Sequence, residues 1–267
     1  MAKFIPRHCL DEMVRRYLAG ETLTAAAAAL GYSQTACRNE MIRRGLPIRT
    51  SSVVKRRYTI DPSAWDAPMT ESAAYWLGFL AGDGSIGNGR IVLSLGARDV
   101  GHLDKIKAFL GSSAPVSPVP KSGTFRLTVI NRSLFDRLRD LGLGGGKLAR
   151  SKAVLDHAPE EMLPHFWRGT FDADGGLYRH PRGWWVASLT GPIATVDAFH
   201  RWVGERIQIK SKILALKNGI SFRAVFTGRS LPLAVMSLLL YGDGRCELDR
   251  KASLVRQLAA SLSSSKM

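Results

Sequence analysis

One short pattern occurs twice in this chain, and both copies end on an aspartate followed by a glycine. Residues 76–84 read WLGFLAGDG and residues 167–175 read WRGTFDADG. In each copy a glycine lies five residues before the final aspartate, which is Asp83 in the first copy and Asp174 in the second. One copy alone is typical of a turn after a helix. Two matched copies predict that two similar helices each deliver one carboxylate to the same kind of place.

Each copy predicts a short helix that stops at its Asp-Gly step. Residues 71–82 are mostly apolar or small, and we expect Gly84 to end this helix in the left-handed conformation. Both helices are too short, and too charged at their flanks, to span a bilayer. We therefore expect them to pack against each other.

Small residues recur four positions apart on each predicted helix and so share one face. This spacing lets two helix backbones approach closely. The residues of the predicted interface are Gly78, Gly82, Gly169 and Ala173. Such packing brings Asp83 and Asp174 together, where the helix dipoles and their mutual repulsion both disfavour negative charge. A divalent cation between the two carboxylates removes both costs, and Mg²⁺ prefers oxygen ligands. The alternative is that the two Asp-Gly steps are ordinary turns after unrelated helices.

Similar patterns follow both copies. Each is followed by a strand, an amphipathic helix, a second strand and the start of another helix. The predicted unit is therefore helix, strand pair, helix, strand pair, helix, and it is used twice. This predicts an α+β fold with pseudo-two-fold duplication and antiparallel strands. The matched strands are 90–95 with 185–190 and 124–129 with 221–226, and the matched helices are 102–110 with 196–203.

The two motifs and their spacing resemble the LAGLIDADG homing endonucleases of the single-chain, two-motif kind. The similarity extends from about residue 62 to residue 251 and includes the lead-in LPHFWRG at 163–169 and the closing LDRK at 248–251. The copies differ at one notable position, where Ala81 in the first corresponds to Asp172 in the second. That position is not the metal ligand of the family pattern, so the difference does not by itself remove activity.

The resemblance implies hydrolysis of phosphodiesters on both strands of a long, asymmetric double-stranded DNA site. It implies that Asp83 and Asp174 hold Mg²⁺, for which Mn²⁺ would substitute, together with the preceding residues Gly82 and Ala173. A metal ion there would polarise the scissile phosphate and activate a water molecule.

The resemblance also implies one basic catalytic residue near each metal. Lys152 and Lys251 occupy matching places after the last helix of each repeat. Lys147 competes with Lys152, because the glycines at 144–146 loosen the alignment. Plain surface charge is the alternative for all of these lysines.

The fold of the family implies a saddle of antiparallel strands along a DNA major groove, and a strand ribbon fits that groove. Side chains alternate along a strand, so a slip of one residue inverts the face. The candidates therefore form a pool, some of which will be edge charges that discourage aggregation. The pool is Arg90, Ser94, Lys121, Arg126, Arg179, Arg182, Ser188, Lys210, Lys212 and Arg223.

The charge balance favours a nucleic-acid partner. The chain has 38 lysine and arginine residues against 22 acidic ones, a formal net charge of +16. Such an excess suits a polyanion, whereas a membrane surface would call for a basic amphipathic helix, which the sequence lacks. Three scattered cysteines without a CxxC pair argue against a zinc finger or disulfide framework. We expect bacterial or phage-infected cytoplasm, or an organelle matrix, and no secretion.

Residues 1–60 differ in character, with eleven basic and four acidic side chains. A threonine at 22 or 24 is expected to cap a helix over 25–30, followed by a Gly-Tyr-Ser turn at 31–33 and a second helix from 34 to 43 or 44. This pattern predicts a helix-turn-helix module, and an alanine-rich hairpin packed on the body is the alternative. The residues expected to face DNA are Gln34, Thr35, Arg38 and Asn39.

The combined interpretation is a homing-type DNA endonuclease that acts as a monomer with internal pseudo-symmetry. A non-cleaving DNA-binding regulator is one alternative, because a bacterial sporulation-regulator family joins this fold to a helix-turn-helix module. An intron maturase with intron RNA as its partner is another, although only Trp184-Trp185 suggests a stacking platform. The predicted boundaries are 1–50 for the helix-turn-helix module, 51–61 for a basic linker, 62–159 for the first repeat and 160–267 for the second.

Overall fold

The computed structural model describes residues 5–46, 48, 58–144, 154–207, 211–228, 230–242 and 246–263. The chain divides into two compact units, residues 1–57 and residues 58–267. Three lysines of the predicted sites, Lys147, Lys152 and Lys210, lie outside the described residues, as do positions 51–57 of the predicted linker.

The N-terminal unit contains three helices, α1 (Arg7–Leu18), α2 (Leu23–Ala28) and α3 (Gln34–Arg43). The hydroxyl of Thr22 caps α2 by accepting a hydrogen bond from the N–H of Ala25, and that of Ser33 caps α3 from the N–H of Ala36. Two capped helices thus flank a short turn near the predicted positions, and DNA binding by this unit stays a prediction. The buried core of the unit consists of Ile5, Leu10, Met13, Tyr17, Leu23, Ala26, Ala27, Cys37 and Met41.

The second unit begins at Tyr58, four residues before the predicted start of the first repeat. The N–H of Thr59 donates to the hydroxyl of Ser113 over 2.8 Å. The N–H of Asp61 donates to the carbonyl oxygen of Leu110, also over 2.8 Å. Residues 58–61, predicted as linker, are therefore part of the folded body.

Two copies of the same α+β arrangement form the second unit, as predicted. In both copies the strands are antiparallel and form a four-stranded sheet, with the orders β1-β2-β4-β3 and β5-β6-β8-β7. The first repeat contains α4 (Glu71–Asp83), β1 (Ser85–Gly87), β2 (Arg90–Gly96), α5 (Val100–Phe109), β3 (Val116–Val119), β4 (Thr124–Ile130) and α6 (Arg132–Leu138). The second contains α7 (Leu163–Asp174), β5 (Gly175–Arg179), β6 (Trp185–Gly191), α8 (Ile193–Ile207), β7 (Lys212–Ala215), β8 (Phe222–Gly228), α9 (Leu231–Leu238) and α10 (Asp249–Ser263).

Short helical turns complete the second unit. A π turn at Arg139–Leu143 directly follows α6. The three 3₁₀ turns cover Ala97–Asp99, Leu155–His157 and Glu160–Met162. None of the helices in the described part of the chain combines the length and the apolar character that crossing a membrane requires.

Alternation along the strands separates two faces of each sheet. In β2 the side chains of Ile91, Leu93 and Leu95 are buried, while the residues between them are partly exposed. The buried side chains join the core beneath the helices, together with residues of α5 such as Leu103 and Ile106. We call the opposite side of each sheet, which carries Ser94 in the first sheet and Thr190 in the second, the open face.

Candidate active site and DNA-binding face

The two motif helices, α4 and α7, pack backbone against backbone. A Cβ atom on Gly78 would collide with the carbonyl oxygen of Phe166 and lie 2.9 Å from its carbonyl carbon. A Cβ atom on Gly169 would collide in the same way with the carbonyl oxygen of Tyr75. Only glycine fits at these two positions, so the small residues of the motifs set the distance between the helices.

The close approach continues to the helix ends and brings the two motif aspartates near each other. A Cβ atom on Gly82 would lie 2.5 Å from the Cβ of Ala173 and 2.8 Å from Oδ2 of Asp174. Gly82 directly precedes Asp83, so both carboxylates belong to adjoining ends of the same helix pair. Burial lowers the pKa of Lys251 to about 8, and the carboxylates of Asp83 and Asp174 both oppose that shift. Two acids far apart in sequence therefore act on one cation.

The prediction that Gly84 ends its helix in the left-handed conformation is wrong. Gly84 has φ −74° and ψ 141°, which is extended backbone. A Cβ atom there would lie 2.5 Å from the carbonyl oxygen of Leu80, and one on Gly175 would lie 2.5 Å from that of Phe171. Glycine is required because the chain passes close over the last turn of its own helix. In both repeats it then enters the first strand of the sheet at once.

The donor set at these helix ends is small. The described residues contain no group of three or more His, Cys, Asp or Glu side chains that could hold a metal ion. Asp83 and Asp174 are thus the side chains there that could bind a cation, with backbone oxygens such as those of Gly82 and Ala173 as supplements. Mg²⁺ is commonly held by one or two carboxylates together with water and substrate phosphates. Two converging carboxylates fit that mode of binding.

Lys251 lies in the first turn of α10 and is only 3% exposed. Its ammonium donates hydrogen bonds to the carbonyl oxygens of Phe171, of Asp172 over 2.9 Å and of Gly175 over 2.7 Å. These three bonds use all three N–H groups of the ammonium. The side chain therefore places its charge at the negative end of the α7 dipole, beside the backbone that carries Asp174. The arrangement supports a role in holding the helix end, and direct action on DNA stays a prediction.

Asp172 forms the centre of a buried polar cluster that the sequence had not singled out. It is 3% exposed. Its Oδ2 accepts hydrogen bonds from the hydroxyl of Tyr75 over 2.8 Å and from the N–H of Leu248 over 2.7 Å, and its Oδ1 accepts one from the hydroxyl of Tyr241. Burial raises the pKa of the Asp172 carboxyl, and the nearby Lys251 opposes that shift. The corresponding position in α4 is Ala81, which has no acceptor in its side chain.

His102 extends this cluster into the first repeat. Its Nε2 lies 2.8 Å from the hydroxyl oxygen of Tyr75, whose proton is directed to Asp172. His102 Nδ1 is buried and has no hydrogen-bond partner among the residues that the structure describes. The neutral ring with its proton on Nε2 fits this environment, because a second proton would create a buried donor with nothing to accept it. Accordingly, burial lowers the pKa of His102 to about 3.

Arg168 is a further buried charge that sequence reasoning missed. Its guanidinium donates to the carbonyl oxygens of Cys246 over 2.9 Å and of Leu239 over 3.0 Å, and it lies 3.2 Å from His165 Nδ1. The guanidinium thus satisfies carbonyls at the end of α9 and before α10. A charged side chain between Trp167 and Gly169, on the helix face that packs closely, is the signal that could have identified it.

Matched arginine and hydroxyl pairs lie on the open faces of both sheets. In the first sheet, Arg126 Nε donates to the hydroxyl of Ser94 over 3.1 Å across the β2–β4 pair. In the second, Arg223 Nε donates to the hydroxyl of Thr190 over 3.0 Å across the β6–β8 pair. Thr190 is therefore the counterpart of Ser94, whereas the sequence had suggested Ser188. Ser188 lies on the same face but is only 6% exposed.

The prediction that Arg179 lies on the groove side of its sheet is wrong. Arg179 pairs with Trp185 and so shares the face of Leu177, which packs toward the helices. Arg179 and Arg182 both border an open pocket of about 690 Å³ on that side, next to Ser261 and Leu262. Leu177, three residues after Asp174, faces the helices as Ile86 does three residues after Asp83. Arg179 lies two residues further along β5 and therefore faces the same side.

The other candidates on the sheets are exposed. Arg90 and Lys212 lie on open faces, and Lys121 lies in the turn between β3 and β4. None of the residues in the eight described strands is an aspartate or a glutamate. The charged side chains of these strands are therefore all positive, which suits a polyanion.

The predicted DNA-facing residues of the N-terminal unit share one side of α3. Gln34, Thr35, Arg38 and Asn39 are all exposed, whereas Cys37 on the same helix is buried. The helix therefore presents these four side chains to solvent and packs through its other side.

No protein-family model matches the sequence, and no curated protein matches it. Among solved structures, the chain is similar to the I-LtrWI LAGLIDADG homing endonuclease bound to target DNA, at 12% identity and a TM-score of 0.49, covering 74% of this chain and 92% of that chain. It is similar to the I-SmaMI LAGLIDADG homing endonuclease bound to cleaved DNA, at 12% identity and a TM-score of 0.46, covering 70% and 87%. The full-length DUF199/WhiA protein from Thermatoga maritima gives 16% identity and a TM-score of 0.44, covering 75% and 64%.

Two of these neighbours are LAGLIDADG homing endonucleases. They belong to the family that the two motifs resemble.

Proposed function

We propose that the protein is a site-specific DNA endonuclease that depends on a divalent metal. The observation that carries this proposal is the meeting of Asp83 and Asp174 at the adjoining ends of two helices packed at glycine distance. Two carboxylates at negative helix ends are unfavourable unless a cation accompanies them. Two matched motifs that each supply one carboxylate to this meeting point indicate a cation site rather than two unrelated turns.

The open faces support DNA as the substrate. None of the eight strands in the described part of the chain contains an acidic residue. Each sheet also presents an arginine that donates to a hydroxyl group on the neighbouring strand. A β-ribbon fits the major groove of B-DNA, and arginine suits both phosphates and guanine edges. The formal net charge of +16 adds a general attraction for nucleic acid.

Asp83 and Asp174 would hold Mg²⁺, with the backbone oxygens of Gly82 and Ala173 as further candidates. The ion would supply Lewis acidity toward the scissile phosphate and a lowered pKa for a bound water. In the hydrolysis, a water oxygen bonds to phosphorus and one P–O ester bond breaks. One water proton ends on the leaving oxygen and the other goes to solvent, so the products on each strand are a phosphate monoester and a hydroxyl.

The residues of this chain contribute mainly by positioning. Lys251 fixes the carbonyls on both sides of Asp174 and balances the negative end of α7. Gly78 and Gly169 set the separation of the helices that carry the acids. Arg126 and Arg223 are held in place before DNA arrives, so less side-chain entropy is lost on binding.

Incubation of the full chain with a randomised duplex library in Mg²⁺, in Ca²⁺ and without metal tests the proposal. We expect double-strand cutting at one long asymmetric site in Mg²⁺ alone. Asp83→Asn and Asp174→Asn should each reduce the rate by at least about a hundredfold. Asp104→Asn, at an exposed helix position away from the motifs, is the matched control and should cut normally.

Two outcomes would replace the proposal with another function. Sequence-specific DNA binding without cutting, unchanged by either motif substitution, would identify a regulator. Binding and assisted splicing of an intron RNA, without cutting of any duplex, would identify a maturase.

A further inference from the structure

Asp172 and Lys251 connect the same two helices in opposite directions. The carboxylate of Asp172, on α7, accepts the N–H of Leu248 at the start of α10 over 2.7 Å. Lys251, on the first turn of α10, returns a hydrogen bond to the carbonyl oxygen of Asp172 over 2.9 Å. Each side chain thus holds the backbone of the other's helix, and we call this pair the reciprocal clamp.

The reciprocal clamp lies next to one metal-site aspartate. Lys251 also binds the carbonyl oxygens of Phe171 and Gly175, which lie before and after Asp174. The backbone that carries the Asp174 carboxylate is therefore fixed on both sides. Both clamp residues are buried, so water does not compete for these bonds.

The clamp also extends to the first repeat. Tyr75 on α4 donates to Asp172 over 2.8 Å, and Lys105 on α5 donates to the carbonyl oxygen of Glu247 over 2.8 Å. The start of α10 is therefore held by both repeats. The first motif cannot form the carboxylate half of such a clamp, because Ala81 stands at the position of Asp172.

We propose that Asp172 is a positioning residue that makes the two halves of the active site unequal, so that they cut their DNA strands at different rates. This inference rests on the proposed nuclease function. Asp172 would act through the backbone around Asp174 and through Lys251, without contacting DNA or metal. The half that contains Asp174 is held by the clamp, and its strand should depend on Asp172.

Strand-resolved kinetics on a duplex selected from the library provide the activity test, with a different label on each strand. In the wild-type protein, one strand should be cut before the other, and a nicked intermediate should accumulate. In Asp172→Asn, an amide that cannot accept all three hydrogen bonds, we expect one strand to slow by about tenfold or more while the other changes less than about twofold. Equal slowing of both strands, or no slowing, would overturn the proposal.

A gentler variant guards against a simple loss of folding. Tyr241→Phe removes one donor to Asp172 and keeps the ring in the core, so it should slow the same strand by a smaller factor. Tyr58→Phe, at an exposed position, is its matched control. If Tyr241→Phe slowed the strand that Asp172→Asn leaves nearly unchanged, the assignment of the clamp to one half of the site would fail.

Hydrogen exchange of the metal-free, DNA-free protein tests the clamp without any cleavage. The N–H of Leu248 should exchange slowly in the wild type and at least about tenfold faster in Asp172→Asn. Unchanged exchange would overturn the clamp itself. A protein that cuts no DNA under any condition would remove the nuclease function and the strand inequality, whereas slow Leu248 exchange would show that the clamp remains.

Discussion

Gly78 and Gly169 occupy equivalent positions in the two motif helices, and each lies against a backbone carbonyl of the other helix. The contact partners are Phe166 for the first and Tyr75 for the second. This exchange of backbone contacts is the geometric origin of the site, because it fixes how closely the two helix ends and their carboxylates can meet.

Alanine at Gly169 should therefore be poorly tolerated. Its methyl group would overlap the carbonyl oxygen of Tyr75, so the helices would have to separate. We expect a loss of about 2–4 kcal/mol in the free energy of unfolding and a larger relative loss of cleavage rate. Urea denaturation measures the stability change. Gly101→Ala, in α5 with open space around it, should be neutral or slightly stabilising; equal effects at the two sites would contradict the packing argument.

The arginines on the open faces should contribute to DNA affinity in both halves. Arg126→Ala and Arg223→Ala each remove a cation held by a neighbouring hydroxyl. If each arginine contacts a phosphate, the dependence of log affinity on log salt should become shallower by about one ion per substitution. Fluorescence anisotropy in Ca²⁺ over a series of salt concentrations measures this. Arg201→Ala, on α8 where the arginine is paired with Asp197, should leave the slope unchanged.

Lys251 should give the stability a characteristic dependence at alkaline pH. Burial lowers its pKa from 10.5 to about 8. Between pH 8 and pH 10.5 the unfolded chain binds more protons at this group than the folded chain does. The free energy of unfolding therefore increases with pH over this range, by up to about 3 kcal/mol from Lys251. Denaturant unfolding from pH 7 to pH 10.5 measures it. Lys251→Met should lack this component, and parallel profiles for the two proteins would contradict the low pKa.

His102 should make the fold sensitive to acid. Burial lowers its pKa from 6.5 to about 3, so the unfolded chain takes up a proton that the folded chain excludes. Stability from this group is complete above pH 6.5 and is lost as pH falls toward 3, by up to about 5 kcal/mol. His102→Gln keeps a donor toward Tyr75 and does not titrate. In thermal unfolding experiments from pH 7 to pH 4, the melting temperature of this variant should therefore fall less steeply than that of the wild type.

Local patterns in the sequence predict the architecture but only part of the site. The duplicated helices, the succession of helices and strands along each repeat and the placing of Asp83 and Asp174 at helix ends follow from spacing and alternation. Asp172 was noted only as a difference from Ala81, because a single sequence does not show that Tyr75, Tyr241 and Leu248 converge on it. These partners are brought together by the packing of α4, α7 and α10, and long-range packing leaves no local signal.

The strand residues show the same limit on a smaller scale. Arg126 and Arg223 were both predicted, yet Thr190 was missed and Arg179 was placed on the wrong face. Arg179 lies two residues after the buried Leu177 and so shares its face. The hairpin between β5 and β6 has five residues outside the pairing where that between β1 and β2 has two, so counting along the chain does not match Ser94 with Thr190. Gly84 was assigned correctly as a glycine position but for the wrong reason, since crowding by Leu80 rather than a positive φ requires it.

The hydrogen bond between Tyr75 and Asp172 has a consequence for the autonomy of the two repeats. A symmetric dimer of the first repeat would place Tyr75 opposite Ala81, which offers its hydroxyl no carboxylate. A symmetric dimer of the second would place Phe166 opposite Asp172 and leave that buried acid one donor short. The halves have thus become complementary rather than interchangeable, and chimaeras that exchange one half must carry the tyrosine and the aspartate as a unit.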